Sequence, residues 1–109
     1  MKNRPKLLIW GLGKDYNRHL NILKYWESQQ KVEIIGVTDR DIPELYEIDG
    51  WRIYKTSNLP KAVIDYYLVM SEKYFSEISD DIVALGVKRK EILSSKILDI
   101  PYFNWEQYL

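Results

Sequence analysis

Gly11 and Gly13 stand two positions apart, directly after an apolar run and directly before an amphipathic stretch. Glycines so placed serve two ends. The first lets the chain turn sharply, and the second lets a ligand phosphate approach backbone N–H groups at a helix's positive end. Leu12 sits between them, and Lys14 follows as a point charge able to meet the same phosphate. Asp39 closes a second apolar run, where a carboxylate faces the same crevice and accepts hydrogen bonds from a ribose. Its neighbour Arg40 has the chemistry to hold a 2′-phosphate. Ser71 follows a third apolar run and could either bond a ligand or cap the next helix. These seven positions form the candidate cofactor-binding set; no catalytic residue and no metal ligand is assigned.

Several other residues carry less. The third glycine of a G-x-G-x-x-G fingerprint would fall where this chain has Tyr16. A tyrosine there would push the helix outward or fill the space of a pyrophosphate. Asp39-Arg40-Asp41 has the D-x-D spacing that can hold Mg²⁺ or Mn²⁺, but reads better as a charged loop after a strand. His19 has no nucleophile or carboxylate paired with it in any motif and is expected at the surface or its boundary. Lys88-Arg89-Lys90 reads as a solvated turn. Gly13-Lys14 is not a P-loop, because the four-residue gap and the following Ser or Thr are missing.

The elements that must position these groups follow an α/β order. Residues 6–10 form an apolar run without alternation, suited to a strand covered on both faces. Tyr16, Leu20, Leu23 and Trp26 then make one helical stripe, which starts at Lys14 or Asp15 and ends in the polar cluster at 28–31. Residues 32–39 are a second strand, 40–49 a loop, and 51–54 a short third strand. A brief helix begins near 57–60 and gives way to a fourth strand at 66–70. Tyr74, Ile78, Ile82 and Leu85 stripe a second helix that Gly86 terminates, and 90–93 form a weak fifth strand. The aromatic tail, with Tyr102, Phe103, Trp105 and Tyr108, covers the sheet edge or touches another chain, with a last helical turn over 105–109. The expected fold is one α/β domain over residues 1–109, of three layers, with a mostly parallel sheet of about five strands in the order 3-2-1-4-5.

Composition narrows the function classes. Sixteen basic and sixteen acidic residues cancel, removing the bulk attraction on which nucleic-acid binding depends. The absence of cysteine excludes disulfides and thiolate sites, and a single histidine excludes multi-histidine metal sites. Apolar runs of four or five residues fall short of the roughly 20 needed to cross a bilayer, so no membrane insertion and a cytoplasmic location are expected. Nine Tyr and four Trp exceed what a chain of this length buries, so the surplus either lies flat over strand ends or makes aromatic contact with a second copy or a larger protein.

The stretches LLIWGLGKDYNRHLNIL, EIIGVTDRD, DGWRIYKTSNLP, DYYLVMSEKYFSEI and ALGVKRKEIL resemble, in order and spacing, a known group. It comprises the small Rossmann-like nucleotide-binding domains of bacterial surface and capsular polysaccharide biosynthesis proteins, which are similar to the N-terminal domain of sugar acetyltransferases. The resemblance spans about residues 6–103. It implies a Rossmann-like fold, a nucleotide, NAD(P) or UDP-sugar as ligand, and Gly11, Gly13, Asp39 and Ser71 at the matching positions. Binding without a complete catalytic site is then the leading function. An interaction or oligomerisation module on a degenerate Rossmann-like fold is the alternative.

Overall fold

Leu7 and Ile9 enter one hydrophobic cluster while Leu8 and Trp10 enter another, as strand alternation requires of a strand buried on both faces. A computed structural model describes residues 4–42, 44–100 and 103–105. Along the chain run β1 (Lys6–Trp10), α1 (Lys14–Ser28), β2 (Glu33–Thr38), β3 (Glu47–Ile48), β4 (Trp51–Arg52), β5 (Tyr66–Val69), α2 (Phe75–Ala84) and β6 (Ile92–Ser94). Four strands form a parallel sheet in the order β2-β1-β5-β6. Helix α1 packs on the cluster of Leu7 and Ile9, and α2 delivers Ile82 to the cluster of Leu8 and Trp10. Among the described residues no helix is long and apolar enough to cross a membrane.

The expected third strand differs most. Residues 51–52 pair antiparallel with 47–48, and only a single parallel bridge, Val37 with Ile53, reaches the main sheet. The cause is local. Asp49 and Gly50 take φ of 53° and 85°, the pair of positive angles that closes a two-residue hairpin, so the chain folds back on 47–48 and bonds β2 only around that bridge, where Tyr54 N–H donates to the Val37 carbonyl at 2.9 Å. Gly36 accepts this close approach: a Cβ there would lie 2.5 Å from the Tyr54 ring.

Smaller departures have equally plain reasons. The brief helix resolves into two 3₁₀ turns, Thr56–Asn58 and Lys61–Val63, on either side of Leu59 and Pro60. A further 3₁₀ turn at Arg89–Glu91 displaces the last strand to Ile92–Ser94. Tyr74 is exposed rather than part of a buried stripe, because it caps α2 from outside the helix. His19 is buried, not superficial; its Nε2 lies 3.0 Å from Asp99 Oδ1 and its Nδ1 2.9 Å from the Asp15 carbonyl oxygen. Within the tail, Phe103 and Trp105 pack on Trp26 with ring centroids 5.9 and 5.0 Å away, which is intramolecular cover. Tyr102, Tyr108 and the expected turn beyond Trp105 lie outside the described residues.

Tyr16 fastens the hairpin to α1. Its ring is 1% exposed and meets Trp51 edge-on at 6.4 Å, and its hydroxyl donates to Asp49 Oδ2 at 2.6 Å. Burial, then the Asp49 carboxylate, push the phenol well above the ordinary tyrosine range. Tyr16→Phe removes one charge-assisted bond and is expected to cost about 1–2 kcal/mol in urea unfolding.

Asp99 supplies a pH signature. The His19 hydrogen bond holds its carboxyl below the usual carboxylate range, with Arg18 adding a weaker pull at 4.0 Å. A lowered folded pKa adds stability above the unfolded value and loses it as pH falls through the folded one. Asp99→Asn should therefore lower the melting temperature at pH 7, and the gap should close below about pH 4.

Candidate functional site

The turn from β1 into α1 is held from the side by β2. Gly11 N–H donates to the Thr38 carbonyl at 2.8 Å, carrying the strand pairing one residue past β1. Asp39 Oδ2 accepts from Leu12 N–H at 2.7 Å, and its Oδ1 accepts from Arg40 N–H at 2.6 Å. One carboxylate thus ties the glycine turn to the end of β2. Each oxygen keeps a second lone pair for another donor.

The two glycines have separate reasons to be glycine. Gly11 sits at φ 117°, and a Cβ there would stand 3.2 Å from the Met70 carbonyl oxygen. Both backbone angle and space therefore demand glycine. At Gly13 a Cβ would meet no protein atom within 4 Å, so packing imposes no such demand. Gly13 is the N-cap of α1, and no side chain caps that end. The first-turn N–H groups lack intrahelical partners, as at any helix start.

Above this turn lies a cleft of about 770 Å³ at the carboxyl ends of β1 and β5, where the chain leaves β1 toward one neighbour and reaches β5 on the other side. Ligands of open α/β sheets bind at such a switch point. Its base is Gly11 and Gly13 with Trp10 and Met70. One wall comes from Asp39, Arg40 and Asp41 after β2, together with Thr56. The opposite wall is built by residues 71–74 and by Ile78, Asp81 and Leu85 on the α2 side. The cleft thus offers an apolar strip, an open helix start and a rim of charge.

That charge is mostly acidic. Asp15, Asp39, Asp41, Glu72 and Asp81 face only Lys14, Arg40 and Lys73. Asp15 spans the helix start to the opposite wall, its Oδ2 accepting from Glu72 N–H at 2.9 Å. Arg40 bonds Glu77 on α2 at 3.0 Å, which leads the causes that raise its pKa, with Asp81 and Asp41 adding weaker attraction. Lys14 and Lys73 make no ion pair among the described residues. Nor is any group of three or more His, Asp or Glu among them placed to hold a metal ion.

Six of the seven sequence candidates line this cleft: Gly11, Gly13, Lys14, Asp39, Arg40 and Ser71. Leu12 does not. Its side chain packs on the α1 cluster and its N–H is spent on Asp39. Ser71 also has a structural task, because its Oγ accepts from Tyr74 N–H at 3.2 Å and closes the turn before α2. Tyr16 leaves the space above Gly13 open, since its ring turns under the hairpin. Sequence reasoning missed the apolar strip of Trp10, Met70, Ile78 and Leu85 and the bridging role of Asp15. Trp10 was legible as the last residue of a strand whose carboxyl end faces any ligand; Asp15 was not, because its partner is a backbone N–H.

The family model described as C2185-like, N-terminal matches residues 3–93, and the chain belongs to that family. A comparison with curated proteins gives no match.

Asp39→Ala removes both side-chain acceptors from the turn and should destabilise the fold by about 1–3 kcal/mol in urea unfolding without any ligand. Asp39→Asn keeps one acceptor oxygen and should cost less.

Proposed function

We propose that this member of the C2185-like, N-terminal family is a Rossmann-like binding domain for a nucleotide or nucleotide-sugar. It serves polysaccharide assembly and has no complete catalytic site of its own. The observation that carries the reading is Gly13: a residue with no side chain, where the fold leaves room for one, on the floor of a cleft beside an uncapped helix start. Glycine there keeps backbone N–H groups within reach of a phosphate. Lys14 and Lys73 supply positive charge to the same cleft.

The other walls fit the remaining parts of such a ligand. Trp10, Met70, Ile78 and Leu85 offer apolar surface to a base. Asp39, Asp41 and Asp81 offer acceptors to ribose or sugar hydroxyls, which carboxylates bind at no cost in charge. The polysaccharide setting rests on the sequence resemblance alone. The four-stranded parallel sheet β2-β1-β5-β6, with Ile53 bridged to Val37 at its edge, is compatible with a Rossmann-like relation.

A thermal-shift screen of nucleotides, NAD(P) and UDP-sugars at millimolar concentration tests the reading. A rise in melting temperature for at least one is expected, as binding to the native state requires. Gly13→Ala should change stability by less than about 1 kcal/mol while weakening the ligand's shift, because its methyl occupies only ligand space. No shift from any compound would end the proposal.

A further inference from the structure

Arg40 and Glu77 belong to opposite sides of the cleft. Arg40 follows β2, its backbone fixed by the Asp39 carboxylate, whereas Glu77 stands in the first turn of α2. Their side chains meet at 3.0 Å, so the one arginine of the cleft is drawn across its mouth to a carboxylate that does not line it. Both partners are largely exposed, at 68% and 58% of the side chain. Such pairs hold weakly and exchange readily. An arginine fork suits a phosphate better than one carboxylate, because phosphate oxygens accept two parallel N–H bonds and carry more charge.

We propose that Glu77 is a specificity-determining residue: it holds Arg40 in the empty protein and yields it to the diphosphate of an incoming nucleoside diphosphate or its sugar ester. This rests on the nucleotide-binding reading above. An uncharged nucleoside cannot draw Arg40 from Glu77 and gains nothing from the exchange. A diphosphate can, and the acidic rim of Asp41 and Asp81 makes that requirement stricter by opposing anions that Arg40 does not meet. Glu77 is therefore a competitor built into the site. Removing its charge should favour phosphate binding.

Calorimetric titration with UDP and with uridine, at low salt, reads the exchange in the wild-type chain, Glu77→Gln, Arg40→Ala and the double variant. Both substituted positions lie on the surface, and melting curves establish that each variant is folded. Glu77→Gln should bind UDP about two- to fivefold more tightly, the range of one exposed ion pair, and uridine unchanged. Arg40→Ala should weaken UDP binding and abolish the gain from Glu77→Gln in the double variant. UDP bound by the wild type but no tighter by Glu77→Gln, or a gain that survives Arg40→Ala, would overturn the role of Glu77 alone. Failure of every protein to bind either compound would overturn this role, whereas the nucleotide reading falls only if the thermal-shift screen is negative for every compound.

Discussion

The Asp39 carboxylate is the constraint on which the upper half of the molecule depends. The glycine turn between β1 and α1 has only the Leu12 side chain of its own to hold it. Here the hold comes from the next strand, through one oxygen on Leu12 N–H and the other on Arg40 N–H. The Gly11–Thr38 bond completes the attachment. With these bonds made, α1 starts at a fixed point above the sheet and Arg40 leaves β2 in a fixed direction. The cleft is the space those two decisions leave. The acid thus lines the cleft and at the same time builds its wall.

Gly11 and Gly13 carry different constraints within one short motif. Gly11 answers to the backbone, through its positive φ and the Met70 carbonyl against it. Gly13 caps α1 through its backbone, and no protein atom lies within 4 Å of the place a Cβ would take. Tyr16 resolves the third position of the motif in another way: by turning under the hairpin to Asp49 and Trp51, it serves the hairpin that replaces a full outer strand. A glycine there would leave the hairpin held on α1 only by Lys24, which donates to the Asp49 carbonyl, and by Glu27, which accepts from Trp51 Nε1 at 3.0 Å.

What the sequence disclosed follows the range over which each signal acts. β1, β2, β5 and α1 were legible because apolar runs and a 3.6-residue stripe are properties of contiguous residues. The hairpin was legible in principle from Asp49-Gly50, yet its strands are two residues long, too short for any alternation to stand out. His19 could not be read, because the carboxylate it pairs with is Asp99, 80 positions away. Leu12 was misplaced for a related reason: position in a motif says which backbone groups are nearby, not which have been claimed by a carboxylate. The cleft itself was anticipated from strand order, while its acidic balance depended on Asp15, Glu72 and Asp81, whose convergence only the fold reveals.

The central claim is that a nucleotide-type ligand occupies the space above Gly13, between the end of β2 and the start of α2. Amide chemical-shift mapping with UDP-glucose addresses it residue by residue. Shifts should concentrate at Gly13–Asp15, at 40–41 and at 71–74, with the hairpin at 47–52 unmoved. Shifts absent at millimolar ligand, or confined to the hairpin and the far ends of the strands, would contradict it.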